Sequence, residues 1–593
     1  MTDDSRPPVA AVAPVVSAPA PPAPNGAHNE KLASSSSLKQ QPTVGAAAGR
    51  QNSWNLSSAS QMDEKEADRL GRIRPPIFKN TFVEAGFCAA ILLSMIMAEF
   101  LISGFNVVLP NLMVDLEFGA ERKTWPSSVF SLVAGAFLLP FARLSDAKFG
   151  GYVVFLCGNA WMGIWTLAAG FAQSYEMLIV FRAMQGLGAA AFLPSGVTLL
   201  GRAYARPGRR KNFVFSIYGG CSPFGFFVGV LIAGAASQLA SWHWFFWVGA
   251  IMLSLVCLMT FLCVPAEAKG APVAIDHETG QVVPHPPMDW LGCATSIPGL
   301  MLLVYAITDS PYQIASGSFS GWRSPQILVT FILGVLFLAA FVYIEGWVAT
   351  APLVPRSIFK VKHIAALFLC MFVSFGSFGI YLLYASFYIE TILHTPPLLA
   401  AAWFAPLAVG GLTIALLGGA FLHKIPGTVL ILISTVGFLV AALLFYFIPV
   451  RDANYWAWVF PAMVCATIGI DIMYNVANIF ITTSVRSDQQ GLAGAIINGL
   501  VFLGMSFFLG WAELASAVNS SDAPDNMLRV SFLLACGCAG FSVLLVIFGI
   551  RIPKATAGLT ADEKERLARQ GNSSTPEPPL VSDDSSAPAQ SKV

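Results

Sequence analysis

Three ionisable residues stand inside long apolar runs, and their surroundings define the chemistry open to this chain. Arg182 lies in Phe181-Arg182-Ala183-Met184-Gln185-Gly186-Leu187-Gly188-Ala189-Ala190. A charge at the centre of a membrane span costs about 2.5 to 3.5 kcal/mol on insertion scales, so Arg182 is expected to face a protein interior or a watery cavity with partners. Gln185, three residues on, shares its helical face. Glu99 and Asp471 are the corresponding acids, the latter within Gly469-Ile470-Asp471-Ile472-Met473. A carboxylate taken out of water keeps its proton to higher pH, which fits it for exchanging protons during a transport cycle. Intramembrane ionisable groups are functional by default; the other reading is a structural polar cluster that holds helices together.

Other chemistries lack their residues. Of the seven histidines (His28, His243, His277, His285, His363, His394, His423) none pairs at H-x-x-x-H or H-E-x-x-H spacing, so no metal site or catalytic constellation is expected. There is no P-loop, which speaks against ATP-driven transport, and no cofactor is implied. The formal net charge of +1 gives no footprint for nucleic acid. All ten cysteines fall inside apolar runs, where they act as small hydrophobes rather than a disulfide framework. The chain reads as a non-enzyme.

The elements that must position these groups are membrane spans. Only 11% of the 593 residues are charged and 55% are hydrophobic, against about 25% charged in a soluble domain. Apolar runs long enough to cross a hydrocarbon core of about 30 Å recur fourteen times. They fall near 83–109, 125–143, 152–172, 176–200, 212–236 and 243–265, then 289–308 and 325–346, then 362–389, 397–421, 427–448, 455–482, 492–515 and 528–551. This predicts an all-α polytopic membrane protein arranged 6+2+6. The segments are a disordered tail over 1–82, a six-helix bundle over 83–265, a linker over 266–288, two inserted helices over 289–346, a loop over 347–361, a second six-helix bundle over 362–551, and a tail over 552–593 that is mostly disordered. The N-terminus is too polar to be a signal peptide.

Loops after even-numbered spans hold Arg143, Lys148, Arg202, Arg206, Arg209, Arg210, Lys211, Lys269, Arg356, Lys360, Lys362, Lys424 and Arg486; the opposite loops hold only Arg122, Lys123, Arg323, Arg451 and Arg529. That asymmetry puts both tails in the cytosol. Glu513 then stands near the outer end of its span and reads as structural or gating.

The fourth-span pattern R-x-x-Q-G-x-G-A, carried by Arg182, Gln185, Gly186, Gly188 and Ala189, resembles the major facilitator superfamily. Gly220-Cys221-Ser222-Pro223-Phe224-Gly225, followed by Gly229 and Gly234, resembles its antiporter motif, with Ser222-Pro223 in place of Gly-Pro. The loop Arg143-Leu144-Ser145-Asp146-Ala147-Lys148-Phe149-Gly150 resembles its cytoplasmic gating loop, with Gly150 one place late and Gly151-Tyr152 where a basic pair is usual. Fourteen spans resemble the drug:proton antiporter family 2. Gly469 to Met473, Asp488 to Gly494, Asn498 and Glu513 resemble its fungal aminotriazole-resistance branch. The first span keeps Asn106 and Pro110 but has Leu101 where many members place an acid, and Glu99 is the candidate substitute.

The resemblance implies alternating access, with the first and fourth helices of each half lining a cavity. On that basis Asp471, with Glu99 second, is expected to exchange protons while Arg182 biases their titration, Glu99 lying close enough in depth to pair with Arg182, and Arg182 facing Asp471 across the cavity. Gln185, Ser377, Tyr381, Tyr384, Asn106 and Asn498 are the substrate-cavity candidates, and the aromatics of the ninth span suit an organic cation or simple packing. Asp146, Gly220, Pro223, Gly225, Gly229 and Glu513 are the gating candidates. The expected function is proton-coupled efflux of drugs or other toxic small molecules; uptake of a small nutrient such as ammonium, and a non-transporting nutrient sensor, are the alternatives. Partners are the small-molecule substrate, protons and the lipid bilayer.

Overall fold

The computed structural model describes residues 74–118, 123–146, 150–204, 209–265, 269, 274–275, 282–283, 287–315, 321–421, 424–450, 453–485, 490–518 and 524–554. The expectations for most of both tails, for Arg122, Lys148, Arg206, Arg451 and Arg486, and for the side chain of Asp146 lie outside the described residues.

Among the described residues, fourteen helices are long and apolar enough to cross a membrane. They are α1 (Thr81–Asp115), α2 (Trp125–Ser145), α3 (Gly150–Ala169), α4 (Tyr175–Ala203), α5 (Phe213–Leu239), α6 (His243–Cys263), α7 (Trp290–Pro311), α8 (Pro325–Val348), α9 (Ile364–Ile392), α10 (Pro397–Ala415), α11 (Gly427–Phe447), α12 (Tyr455–Ser484), α13 (Gly491–Ala517) and α14 (Leu528–Gly549). An even number of crossings returns the chain to the side it started from, here the tail side; the opposite end is the far side.

Local sequence sets several ends. Ser174 caps α4, its hydroxyl accepting from the Met177 amide at 3.3 Å, with Glu176 in the first turn where the helix dipole favours an acid. The first span runs past Pro110, where the sequence pattern ends it, to Asp115. A proline removes one backbone donor, and inside a bundle neighbouring groups satisfy what it frees. The 266–288 linker carries a short antiparallel ladder, β1 (Ala274–Ile275) against β2 (Val282–Val283), that the sequence reading lacked.

Helices α1 to α6 pack as one bundle, chiefly α1 on α5 and α6 and α4 on α2 and α3; α9 to α14 pack as another, chiefly α9 on α13 and α14 and α11 on α12 and α14. The two halves meet along α2–α13 and α5–α10, and the inserted pair lies with α7 against both α2 and α13. Helix α9 forms the heart of the second half, with 83% of its apolar window buried; α8, at 11%, turns almost all of its surface outward. Helices without a hydrophobic drive between them in lipid close up where small residues allow it. The α1–α5 contact shows this: a Cβ added to Gly225 would lie 2.6 Å from the Ile96 carbonyl, and one added to Gly229 2.6 Å from that of Phe100.

Candidate functional site

Near the middle of the bilayer-spanning region two acids from different halves approach each other. Glu99 lies 18 residues into α1 and Asp471 13 residues before the end of α12, about 27 Å and 20 Å from the tail-side ends at 1.5 Å per residue. The Ser222 hydroxyl of α5 donates to Glu99 Oε1 at 3.1 Å. Pro223, next in sequence, packs against Gly411 of α10, and a Cβ added there would stand 2.6 Å from Pro223 Cβ and 2.9 Å from Asp471 Oδ2. A side chain at position 411 would therefore push into the space that brings Asp471 to the α5–α10 contact.

Across this contact Glu99 and Asp471 are close enough to sense each other's charge, as are Tyr218 of α5 and Tyr474 of α12 to sense that of Glu99. Tyr474 donates to Asn498 Oδ1 at 3.2 Å, tying α12 to α13. No lysine or arginine is among these contacts. Like charges brought together in a site of low dielectric favour binding of one proton or one cation between them.

Arg182 is not part of this cluster. It is 1% exposed inside the first half, donating to the carbonyls of Pro126 and Leu101 at 3.2 Å each and to Gln185 Oε1 at 2.9 Å. Its guanidinium lies over the rings of Phe105 and Phe130 at 4.1 and 4.6 Å, and Gln185 Nε2 in turn donates to Thr166 at 3.2 Å. The expected pairing with Glu99 and the expected view of Asp471 are thus replaced by carbonyls and ring faces. Helical phase separates Glu99 from Arg182: at 3.6 residues per turn, positions 99 and 101 point about 200° apart, so Glu99 turns to Ser222 of α5 while the Leu101 side chain lies towards Gly249 of α6 and its carbonyl accepts from Arg182.

The other cavity candidates divide three ways. Asn498 joins the central cluster through Tyr474. Ser377 donates to the Ala535 carbonyl at 2.8 Å, and Tyr381 donates to Met463 Sδ at 3.4 Å and packs edge-on against Phe445. Both are therefore internal to the second half, as Gln185 is to the first. Asn106 and Tyr384 sit at a far-side contact between halves: Ser386 donates to the Asn106 carbonyl at 3.3 Å, and Tyr384 donates to Glu513 Oε2 at 3.3 Å.

That far-side contact centres on a buried ion pair. Lys123 Nζ, from the segment before α2, lies 3.8 Å from Glu513 Oε1 of α13, with the two side chains 4% and 3% exposed. Lys123 also stands 5.2 Å over the Tyr384 ring. Ser128 and Ser506 hydroxyls meet at 2.8 Å, and Leu398 N donates to Gln238 at 3.1 Å. Gly201, Gly219 and Gly494, towards the tail side, have no atom within 4 Å of where a side chain would stand, as is also true of Gly537 and Gly540 in α14. Lys123 carried no signal beyond a loop charge in the sequence; Glu84, at the tail-side end of the first span, went unremarked there and accepts two hydrogen bonds from Arg210 (2.6 and 2.8 Å) and one from Tyr204 (2.8 Å) within the first half. Tyr218 and Ser222 could have been found from their i, i+4 spacing on the span beside Glu99, and Tyr474 from its i+3 spacing to Asp471.

The gating glycines also separate. Gly225 and Gly229 hold α5 to α1, whereas Gly220 faces Leu412 and Ala415 of α10 at 3.6 and 4.0 Å. Gly229→Ala is expected to force α1 and α5 apart and to lower stability by about 1–3 kcal/mol, read as a fall in the thermal unfolding midpoint in detergent. Gly220→Ala meets only ordinary contact and should leave that midpoint unchanged. An apolar groove of about 290 Å³ between α2, α3 and α4, lined by Phe141, Val153, Trp161 and Leu187 among others, is lined by neither carboxylate.

Residues 91–509 match the sequence model of the Major Facilitator Superfamily. The chain belongs to this superfamily. It is similar to the low affinity ammonium transporter of Saccharomyces cerevisiae, 32% identical over 72% of this chain and 80% of the relative. It is similar to the efflux pump terJ of Aspergillus terreus, 28% identical over 78% and 88%. It is also similar to the aminotriazole resistance protein of Saccharomyces cerevisiae, 30% identical over 69% and 73%. The superfamily chain is therefore a multi-pass membrane transporter of small molecules from a drug-resistance-like fungal branch, and not an enzyme.

Proposed function

We propose that this transporter exports drugs or other toxic small molecules in exchange for protons, by alternating access, with both tails in the cytosol of a fungal-type cell and the plasma membrane as its site. The observation that carries the reading is the Glu99–Asp471 juxtaposition. Two acids, one on each half, change their separation whenever the halves rock, so the free energy of a proton placed between them depends on conformation. A ligand drives a conformational cycle only through such a difference. The far-side lock of Lys123 and Glu513 supports a cycle in which this arrangement loads from the cytosol. Arg182, closed inside the first half, acts in this scheme as a rigid post that fixes α1 against α2 and α4 rather than as a proton carrier. The names of two relatives, an efflux pump and a resistance protein, support export.

Proteoliposomes of the purified protein test this. An imposed pH gradient should drive accumulation of a transported dye or drug, and adding substrate should release protons in return. Substrate flux indifferent to the gradient would overturn the proton coupling. The likeness to an ammonium transporter favours a second reading, uptake of a small cation by the same two acids. In cells, deletion of the gene would then lower accumulation of methylammonium instead of raising that of drugs.

A further inference from the structure

The inserted pair is joined to both halves by features the proton scheme does not use. Helices α7 and α8 pack closely on each other, a Cβ at Gly334 coming 2.8 Å from the Leu303 amide. Towards the first half, Tyr305 of α7 meets Trp125 edge-on with ring centroids 6.0 Å apart. Towards the second, a Cβ at Gly510 of α13 would lie 2.6 Å from the Thr308 hydroxyl. The pair therefore spans the α2–α13 seam.

At its tail-side end the pair carries a polar clamp. The Glu345 carboxylate, near the end of α8 and 9% exposed, accepts from the backbone amides of Leu353 at 2.9 Å and Val354 at 3.3 Å. Its own carbonyl accepts from Arg356 Nε at 3.4 Å. These bonds fold the chain after α8 back on itself and bury Leu353. Arg143, in the last turn of α2, donates from Nη2 to the Pro352 carbonyl at 2.6 Å. A charge-assisted bond of this length is among the stronger kinds. Arg143, the first residue of the segment that resembles a gating loop, thus engages the chain that follows the inserted pair.

We propose that Arg143 and Glu345 are positioning residues of the transport cycle: they tie the tail-side end of α2 to the segment leading into α9, so that the inserted pair acts as a strap fixing how far the two halves part along the α2–α13 seam. The strap touches neither Glu99 nor Asp471, so its loss changes the rate of the conformational step and leaves substrate affinity alone.

Two measurements test this. Spin labels on Leu144→Cys and Phe359→Cys report the spacing of the two tail-side ends, without reference to substrate or protons. The second measurement is downhill substrate exchange in proteoliposomes. With the clamp intact the distance distribution should be narrow. Arg143→Ala should broaden it and lower the maximal exchange rate at least about fivefold, with half-saturation unchanged, and Arg143→Lys, which keeps the charge and one donor, should recover at least half of the rate. Glu345→Gln keeps the shape of the acid and one acceptor; it should broaden the distribution in the same way, and it carries the test if Arg143→Ala fails to fold. An unchanged distribution in folded variants, or a loss expressed mainly in half-saturation, would overturn the strap. Failure of proton coupling alone would leave it standing.

Discussion

Asp471→Asn is expected to reduce pH-gradient-driven accumulation in proteoliposomes at least about tenfold, within the 5- to 150-fold range that typical coupling free energies of about 1–3 kcal/mol allow, while downhill exchange of the same substrate continues. Asparagine keeps an oxygen against Gly411 and Pro223 and nearly the same volume, so the α5–α10 contact is preserved. What it loses is the ability to take up and release a proton. With residue 471 neutral in every state, Glu99 meets no opposing charge across the contact, and protonation no longer distinguishes the two arrangements of the halves. Glu99→Gln removes the other member of the pair but keeps the bond from Ser222, and should act in the same direction. Undiminished coupling in both variants would show that the acids are a structural cluster. Loss of downhill exchange as well, in a protein that still folds, would make them substrate ligands first.

The second large effect belongs to the far-side lock. Lys123 and Glu513 are both almost fully buried at their contact, and removing one partner of such a pair strands the other, commonly at about 3–5 kcal/mol. Parting the halves at the far side returns the stranded charge to water, so the penalty falls on the closed arrangement. Glu513→Gln should therefore populate the far-side-open state, about tenfold for each 1.4 kcal/mol of difference. A thiol introduced by Ser128→Cys, which in the closed state lies against Ser506, reports this through its labelling rate with a membrane-impermeant maleimide. The expected change in Glu513→Gln is a rise of tenfold or more. Exchanging the charges, Lys123→Glu with Glu513→Lys, should restore protection, because opposite charges still meet across the contact and the Tyr384 hydroxyl, which donates to Glu513, can accept from a lysine in its place. Equal labelling in all three proteins would mean that the pair does not hold the far side.

The sequence by itself determined the fold class, because the hydrocarbon core imposes a length and an apolarity on each crossing that can be counted residue by residue. All fourteen spans lie within a few residues of their expected places. It also determined which residues were out of place in lipid: Glu99, Arg182, Asp471 and Glu513 stand out because a charge in an apolar run is costly wherever the helix goes. What it left to the tertiary structure was pairing. Depth along a helix follows from counting, but the face that looks at a neighbour depends on how each helix is rotated in the bundle. Arg182 and Glu99 lie at similar depth, yet helical phase sends one to the Leu101 and Pro126 carbonyls and the other to Ser222 and Asp471. Lys123, a loop charge in the sequence, becomes half of a buried lock only because α13 brings Glu513 beneath it. The clamp of Arg143 and Glu345 likewise rests on a carbonyl and two amides, groups every residue carries, so no residue type announces it and only the folded chain shows where they meet.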